Sequence, residues 1–153
     1  MMHFLLILLV ATFQSLEADF IQQKSSAMFT EPQLSKGHLS YRQPDYLRWE
    51  YTSPASLVWQ IDGKQSNLSP QIRQMVRLIM CSIDGSYLTK NDDFYVSVSD
   101  NEAVLTPKRR QLSQLFSSIT LQINPSTGIA KQVTIVERSG DTTHIVFSNV
   151  STQ

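Results

Sequence analysis

The side chains that could perform catalysis are few in this sequence and far apart. The three histidines are His3, His38 and His144, and the single cysteine, Cys81, lies in an apolar stretch typical of a small buried side chain. The sequence contains no G-x-S-x-G nucleophile motif, no H-E-x-x-H metal motif and no glycine-rich phosphate loop. The acidic pair Asp92-Asp93 is typical of a solvated turn. We therefore expect a protein that is not an enzyme and that holds no metal or cofactor.

Large apolar side chains are better candidates for function. Trp49, Tyr51 and Trp59 lie on predicted strands, and Met75 and Ile79 share one stripe of a predicted helix. Apolar surfaces bind acyl chains through buried area, at about 0.8 kcal/mol per methylene. The alternative is that each of these residues is ordinary core. Binding requires a sheet so strongly bent that its own side chains do not fill its concave side.

The stretch from Gly37 to Pro54 predicts a β-hairpin that positions most of the aromatic residues. Pro44-Asp45 is expected to form its turn, because proline presets φ and aspartate hydrogen-bonds the nearby backbone. Side chains alternate between two faces along each strand. The residues expected on the apolar face are Leu39, Tyr41, Leu47, Trp49 and Tyr51.

Further short strands are predicted on both sides of this hairpin, separated by turn residues, which is typical of an antiparallel sheet or barrel. The predicted strands are Glu17–Ala27, Leu57–Ile61, Phe94–Val98, Ala103–Thr106, Ile119–Ile123, Ile129–Glu137 and Thr142–Asn149. Along the first of them, Ala18, Phe20 and Gln22 share a face. Ser69-Pro70 begins the strongest predicted helix, whose apolar stripe is expected to cover the aromatic face.

Composition limits the class of protein. The chain has 153 residues, enough for one domain with a core, and 13 basic residues balance 13 acidic ones. This balance gives no electrostatic basis for a nucleic-acid partner. The apolar run from Met1 to Phe13 predicts a signal peptide over residues 1–15, followed by a domain over residues 16–153. No lipobox cysteine follows that run, so the mature protein is not expected to be lipidated.

Several motifs resemble the LolA-like family of periplasmic outer-membrane lipoprotein carriers, in its Bacteroidota form. They cover about Leu16 to Asn149, and the hairpin motif is the most specific. In chain order they are Ala18–Lys24 (ADFIQQK), Pro32–Gly37 (PQLSKG), Gln43–Pro54 (QPDYLRWEYTSP), Leu105–Pro107 (LTP) and Ser139–Asn149 (SGDTTHIVFSN).

The resemblance implies a mainly β (α+β) fold: an open, incomplete antiparallel β-barrel with a helix lid. It implies a periplasmic chaperone that binds the acyl chains of lipoproteins in a hydrophobic cavity and carries them from the inner to the outer membrane. The partners it implies are acylated lipoproteins, an inner-membrane lipoprotein-releasing ABC transporter and an outer-membrane acceptor, and we expect a monomer. The family has further strands after Gly63, where Lys64–Leu68 leaves little room.

The predicted site residues fall into three groups. A basic residue before the turn proline holds the lid closed in some family members, so Gln43, with Arg42 beside it, is the candidate latch. Lys108, Arg109 and Arg110 are a candidate docking surface for a membrane-bound partner, or a solvated loop. The residues expected to line the acyl-chain cavity are Phe20, Leu39, Tyr41, Leu47, Trp49, Tyr51, Trp59, Met75, Ile79, Ile119, Leu121 and Ile135.

Two alternatives remain open at this point. One is a related carrier of another lipid or of a polyene pigment precursor. The other is a non-catalytic interaction module whose apolar face is a filled core. A cavity on the apolar face favours either carrier, whereas a completely packed interior favours the module.

Overall fold

A computed structural model of the protein describes residues 13–70, 73, 76–77 and 92–153. Most of this part is β-strand. The strands are β1 (Ser15–Ser25), β2 (Gln33–Arg42), β3 (Tyr46–Ser53), β4 (Leu57–Asp62), β5 (Gln65–Ser66), β6 (Phe94–Ser99), β7 (Glu102–Pro107), β8 (Phe116–Ile123), β9 (Ala130–Glu137) and β10 (Thr142–Thr152). A single helical turn, Arg110–Ser113, precedes β8.

The ten strands form one antiparallel sheet in the order β5-β4-β3-β2-β1-β10-β9-β8-β7-β6. The chain therefore starts in the middle, winds out to one edge, and returns from the other edge to finish beside its own start. The backbone amides of Gln14 and Ser15 both donate to the carbonyl of Gln153, which closes the centre of the sheet. The connection between β5 and β6 joins opposite edges of the sheet.

Contacts between aromatic rings show that the sheet is strongly curved. Trp49 on β3 and Phe147 on β10 are three strands apart, a separation of about 14 Å in a flat sheet. Their ring centroids are only 6.3 Å apart. Phe20 on β1 stacks on Trp49 at 4.1 Å, although β2 lies between their strands. Side chains from distant strands therefore converge on one concave face.

The core occupies this concave face and draws on both halves of the sheet. Leu39 and Leu47 come from one half, and Leu105 and Leu121 from the other, all with no exposed surface. The connection between β5 and β6 adds Leu68 and Val76, which are buried in the same cluster. Part of this connection therefore covers the concave face, as the predicted helix was expected to do.

Gly37 permits the close packing at the centre of the hairpin. It pairs with Phe20 across β1 and β2, and the Phe20 ring lies directly over it. A Cβ atom at this position would meet the carbonyl oxygen of Glu50, and would lie 2.5 Å from the Phe20 ring. Only a residue without a side chain leaves room for the ring that stacks on Trp49.

The predicted fold class is confirmed: the protein is mainly antiparallel β, with a single open sheet. The chain is helical at Pro70, and the amide of Arg73 donates to the carbonyl of Ser69 at 2.9 Å, as expected for the predicted helix start. Most of that helix, including Met75 and Ile79, lies outside the described residues. The sequence leaves little room for strands after Gly63, and the structure has only the two-residue strand β5 there.

Several observed strands differ from the predicted ones at their ends. β1 spans Ser15–Ser25 and not Glu17–Ala27, and β8 begins at Phe116 and not at Ile119. β10 continues to Thr152, three residues past the predicted end at Asn149. There Asn149 adopts φ 52°, and the register with β1 shifts nearby. Most of the predicted signal peptide lies outside the described part. Its last residues belong to the folded unit, since Phe13 packs edge-on against Tyr41 at 5.7 Å. The boundary at residue 15 stays a prediction.

Candidate functional site

The described members of the predicted cavity lining all lie on the concave face, but at two depths. Phe20, Leu39, Tyr41, Leu47, Trp49, Ile119, Leu121 and Ile135 are buried within the core cluster. Tyr51 and Trp59 are only partly buried and border open space. The role of these residues in binding stays a prediction. Their placement defines a packed interior with an aromatic opening at one end.

This opening is a groove of about 310 Å³, close to the smallest volume typical of ligand sites. Most of its lining is apolar, and Leu57 in that lining is 49% exposed. It lies at the end of the sheet where β3 turns into β4. We call it the rim groove, and its lining residues are Gln22, Ser35, Tyr51, Ser53, Pro54, Ala55, Leu57 and Trp59.

Tyr51 connects the rim groove to the core. Its ring lies edge-on to Phe20 on the inner side and edge-on to Trp59 on the outer side, with centroids 5.5 Å apart in both cases. Its hydroxyl donates to Oε1 of Gln22 at 2.9 Å. Burial raises the pKa of Tyr51, because the phenolate would lose its hydration. The hydroxyl is therefore a neutral donor at physiological pH.

The indole N–H of Trp49 is a buried donor beside the Tyr51 hydroxyl. The side chain is 1% exposed, and its Nε1 meets no hydrogen-bond partner within the described chain. It lies close enough to the Tyr51 hydroxyl to oppose the rise of that group's pKa. Buried polar groups are usually paired, and the Tyr51 hydroxyl oxygen is the group positioned to accept from this indole.

The candidate latch residues lie at the opposite end of the sheet from the rim groove. Gln43 is exposed, and its backbone amide donates to the carbonyl of Gln14 at 2.8 Å. The guanidinium of Arg42 lies 4.1 Å from the ring centroid of Tyr46, a cation–π contact on the outer surface. A latch function for Gln43 or Arg42 stays a prediction.

The basic segment predicted as a docking surface is exposed and partly neutralised by its own neighbours. Arg109 pairs with Asp93 at 3.2 Å, and Lys108 lies 5.2 Å from the ring centroid of Tyr95. Arg110 begins the helical turn. Because Arg109 already has an acidic partner, the segment presents less free charge than its sequence suggests. Docking at this segment stays a prediction.

A cluster of three ionisable side chains lies on the convex face. The imidazole of His38 lies between two carboxylates, with Nδ1 2.9 Å from Asp19 and Nε2 2.9 Å from Glu17. Hydrogen bonds to Asp19 and then Glu17 raise the pKa of His38. The same bond from His38, with one from Asn149, lowers the pKa of Asp19. Both ring nitrogens can donate together only in the imidazolium form, so the cluster is an ion triad when His38 is protonated.

Sequence reasoning did not identify the rim groove. The sequence pattern places Gln22 on the same face as Phe20. A polar residue within an apolar stripe is the one signal in the sequence that points to this groove. Leu57 and the residues around Pro54 join the groove only through the pairing of β3 with β4. In the part of the chain that the structure describes, no three acidic, histidine or cysteine side chains are arranged to hold a metal ion. No described helix has the length and apolar character needed to cross a membrane.

A strongly curved, open antiparallel sheet with an aromatic groove at the end of its core is typical of proteins that bind apolar ligands. The chain belongs to the outer membrane lipoprotein carrier protein LolA family, whose profile matches residues 11–153. It is 28% identical over 157 aligned residues to the outer-membrane lipoprotein carrier protein of Francisella tularensis subsp. novicida, covering 94% of this chain and 74% of that protein. The predicted family is thus confirmed. The Bacteroidota form is not confirmed.

Solved structures show the same fold at low identity. The complex of Pseudomonas aeruginosa MucA and MucB aligns with 99% of this chain at a TM-score of 0.54 and 15% identity. MucB in complex with MucA(peri) aligns with 99% of this chain at a TM-score of 0.53 and 13% identity. This chain spans 56% and 54% of those two chains. The likeness concerns the fold alone.

Proposed function

We propose that this protein is a periplasmic chaperone that shields the acyl chains of lipoproteins and carries them from the inner to the outer membrane. The match to the lipoprotein-carrier family over residues 11–153 is the observation that carries this proposal. The rim groove supports it, because Tyr51 and Trp59 present aromatic surface that is continuous with the core yet open to solvent. Such a carrier acts by binding and not by catalysis.

The core is packed where the structure describes it, and we infer from this that binding requires opening. The rim groove, at about 310 Å³, is small for a lipid, so the rest of an acyl chain must displace part of the covering connection. Exposing Leu68 and Val76 costs about 3–6 kcal/mol in lost burial. Burying about eight methylenes of cargo offsets this cost at about 0.8 kcal/mol each. A long acyl chain therefore binds favourably, whereas a short one does not open the site.

The proposed partners follow from the route of the cargo. An inner-membrane lipoprotein-releasing ABC transporter hands over the lipoprotein, and an outer-membrane acceptor receives it. The exposed segment Lys108–Arg110 is the candidate contact for one of these membrane-bound partners. The protein acts in the periplasm, and we expect a monomer.

A release assay tests this function. Spheroplasts that retain newly made lipoproteins in the inner membrane are incubated with the purified protein. We expect lipoproteins to appear in the supernatant in a soluble complex with the protein. Trp59→Ala should lower the yield, whereas Gln132→Ala, on the opposite face of the sheet, should not. If no lipoprotein leaves the membrane at any concentration of wild-type protein, the carrier function is wrong.

A further inference from the structure

The rim groove combines an apolar wall with neutral polar groups. Tyr51, Trp59 and Leu57 supply the apolar part, whereas Gln22 and Ser35 supply amide and hydroxyl groups. No residue that lines the groove carries a charge. A phosphate or an ammonium group would therefore find no counter-ion there. The chemistry fits a ligand that is neutral and has both an alkyl part and a hydrogen-bonding part.

The Gln22 amide is held in a defined orientation. Its Oε1 accepts from the Tyr51 hydroxyl at 2.9 Å, so the amide nitrogen points away from that hydroxyl. Nε2 has no partner within the described residues, which leaves its two N–H groups free to donate. The groove thus offers free amide donors on Gln22 beside its apolar wall.

An ester-linked lipid has the complementary chemistry. Its carbonyl oxygens are acceptors only, and they lie where the alkyl chains begin. With the chains directed toward Phe20 and the core, a carbonyl at the opening is within the reach of a donor on Gln22. An ether-linked chain of the same length has a methylene in place of the carbonyl and so lacks that acceptor.

We propose that the rim groove is the subsite for the ester linkage of the cargo, with Gln22 donating to an acyl-ester carbonyl and Tyr51 holding Gln22 in position. Gln22 is then a specificity-determining residue, and Tyr51 is a positioning residue. This inference rests on the proposed carrier function. It adds that the protein distinguishes acyl esters from other alkyl chains of equal length.

The test compares two synthetic lipopeptides on a thioglyceryl-cysteine, one with two palmitoyl esters and one with two hexadecyl ethers. The ester accepts one hydrogen bond that the ether cannot accept. Wild-type protein should therefore bind the ester roughly three- to tenfold more tightly than the ether. Gln22→Leu should bring this ratio close to one without weakening binding of the ether. Tyr51→Phe should lower the ratio partly, since the amide loses its anchor. Gln23→Leu, exposed on the opposite face of the same strand, is the matched control and should keep the ratio.

The wild-type comparison alone is decisive, even if a variant fails to fold. Equal affinities for the ester and the ether would overturn the ester subsite while leaving the carrier function in place. A ratio that survives Gln22→Leu would overturn the role of Gln22. If wild-type protein binds neither lipopeptide, the carrier function fails, and the ester subsite fails with it.

Discussion

Trp49 and Trp59 are direct neighbours across β3 and β4. Replacing each one separately therefore distinguishes the effect of core packing from that of cargo binding. Trp49 is 1% exposed and stacks on Phe20, whereas Trp59 is partly buried and lines the rim groove. Replacing a fully buried tryptophan by alanine costs about 3–5 kcal/mol. We expect Trp49→Ala to lower the free energy of unfolding by that amount. Trp59→Ala should lower it by about 1–2 kcal/mol, because the groove already provides open space beside it.

The same pair should behave differently in binding. Cargo that covers roughly a quarter of the ~150–250 Å² that an aromatic side chain can bury gains about 1–1.5 kcal/mol from Trp59. This corresponds to a roughly five- to tenfold weaker Kd in Trp59→Ala. Urea denaturation followed by circular dichroism measures stability, and fluorescence anisotropy of a labelled acylated peptide measures binding. The reasoning is refuted if Trp59→Ala costs as much stability as Trp49→Ala and leaves the Kd unchanged.

Three further predictions concern the hairpin and its surroundings. Gly37→Ala should lower the free energy of unfolding by about 2–3 kcal/mol, because the added Cβ meets the Phe20 ring and a backbone carbonyl. An unchanged urea midpoint would contradict this packing. The pKa of His38 is higher in the folded state than its ordinary value of 6.5. The stability that His38 contributes is therefore fully present below pH 6.5 and is lost as the pH rises through the folded pKa. In urea titrations, the stability difference between wild type and His38→Gln should shrink from pH 6 to pH 9. The control is Ser40→Ala, which removes only a hydroxyl bond to Glu17, and its stability difference should not vary with pH. A constant difference for His38→Gln would exclude the ion triad. If Gln43 is a latch, Gln43→Leu should alter the rate of cargo release from a preloaded complex, and an unchanged release rate would remove Gln43 from that role.

Local pattern was sufficient to predict most strands and their buried faces. Leu39, Tyr41, Leu47 and Trp49 alternate with polar residues, and this period of two holds in a sheet of any topology. The hairpin turn at Pro44 was predictable for the same reason, because the signal lies within a few adjacent residues. The order of the ten strands was not predictable from pattern. It depends on pairing between residues as distant as Glu17 and Ser151.

The site was less predictable than the fold, since it depends on register and curvature. The triad at His38 exists because β1 and β2 pair Asp19 directly with His38 and place Glu17 one step away on the same face. The rim groove depends on Gly37, which pairs with Phe20 on one side and Tyr51 on the other and leaves those two rings edge-on to each other. Composition and periodicity carry no information on which residues pair across strands or on how closely their side chains approach.

Native mass spectrometry of the protein expressed with export to the periplasm, combined with lipid extraction, tests the central claim most directly. A carrier should co-purify with an acylated lipoprotein or its lipid moiety, detected as a discrete mass above that of the protein alone. Trp59→Ala should reduce the fraction of loaded protein. A single mass for the ligand-free protein, together with no uptake of a fluorescent acylated peptide, would contradict the carrier function and leave the aromatic face with a packing role only.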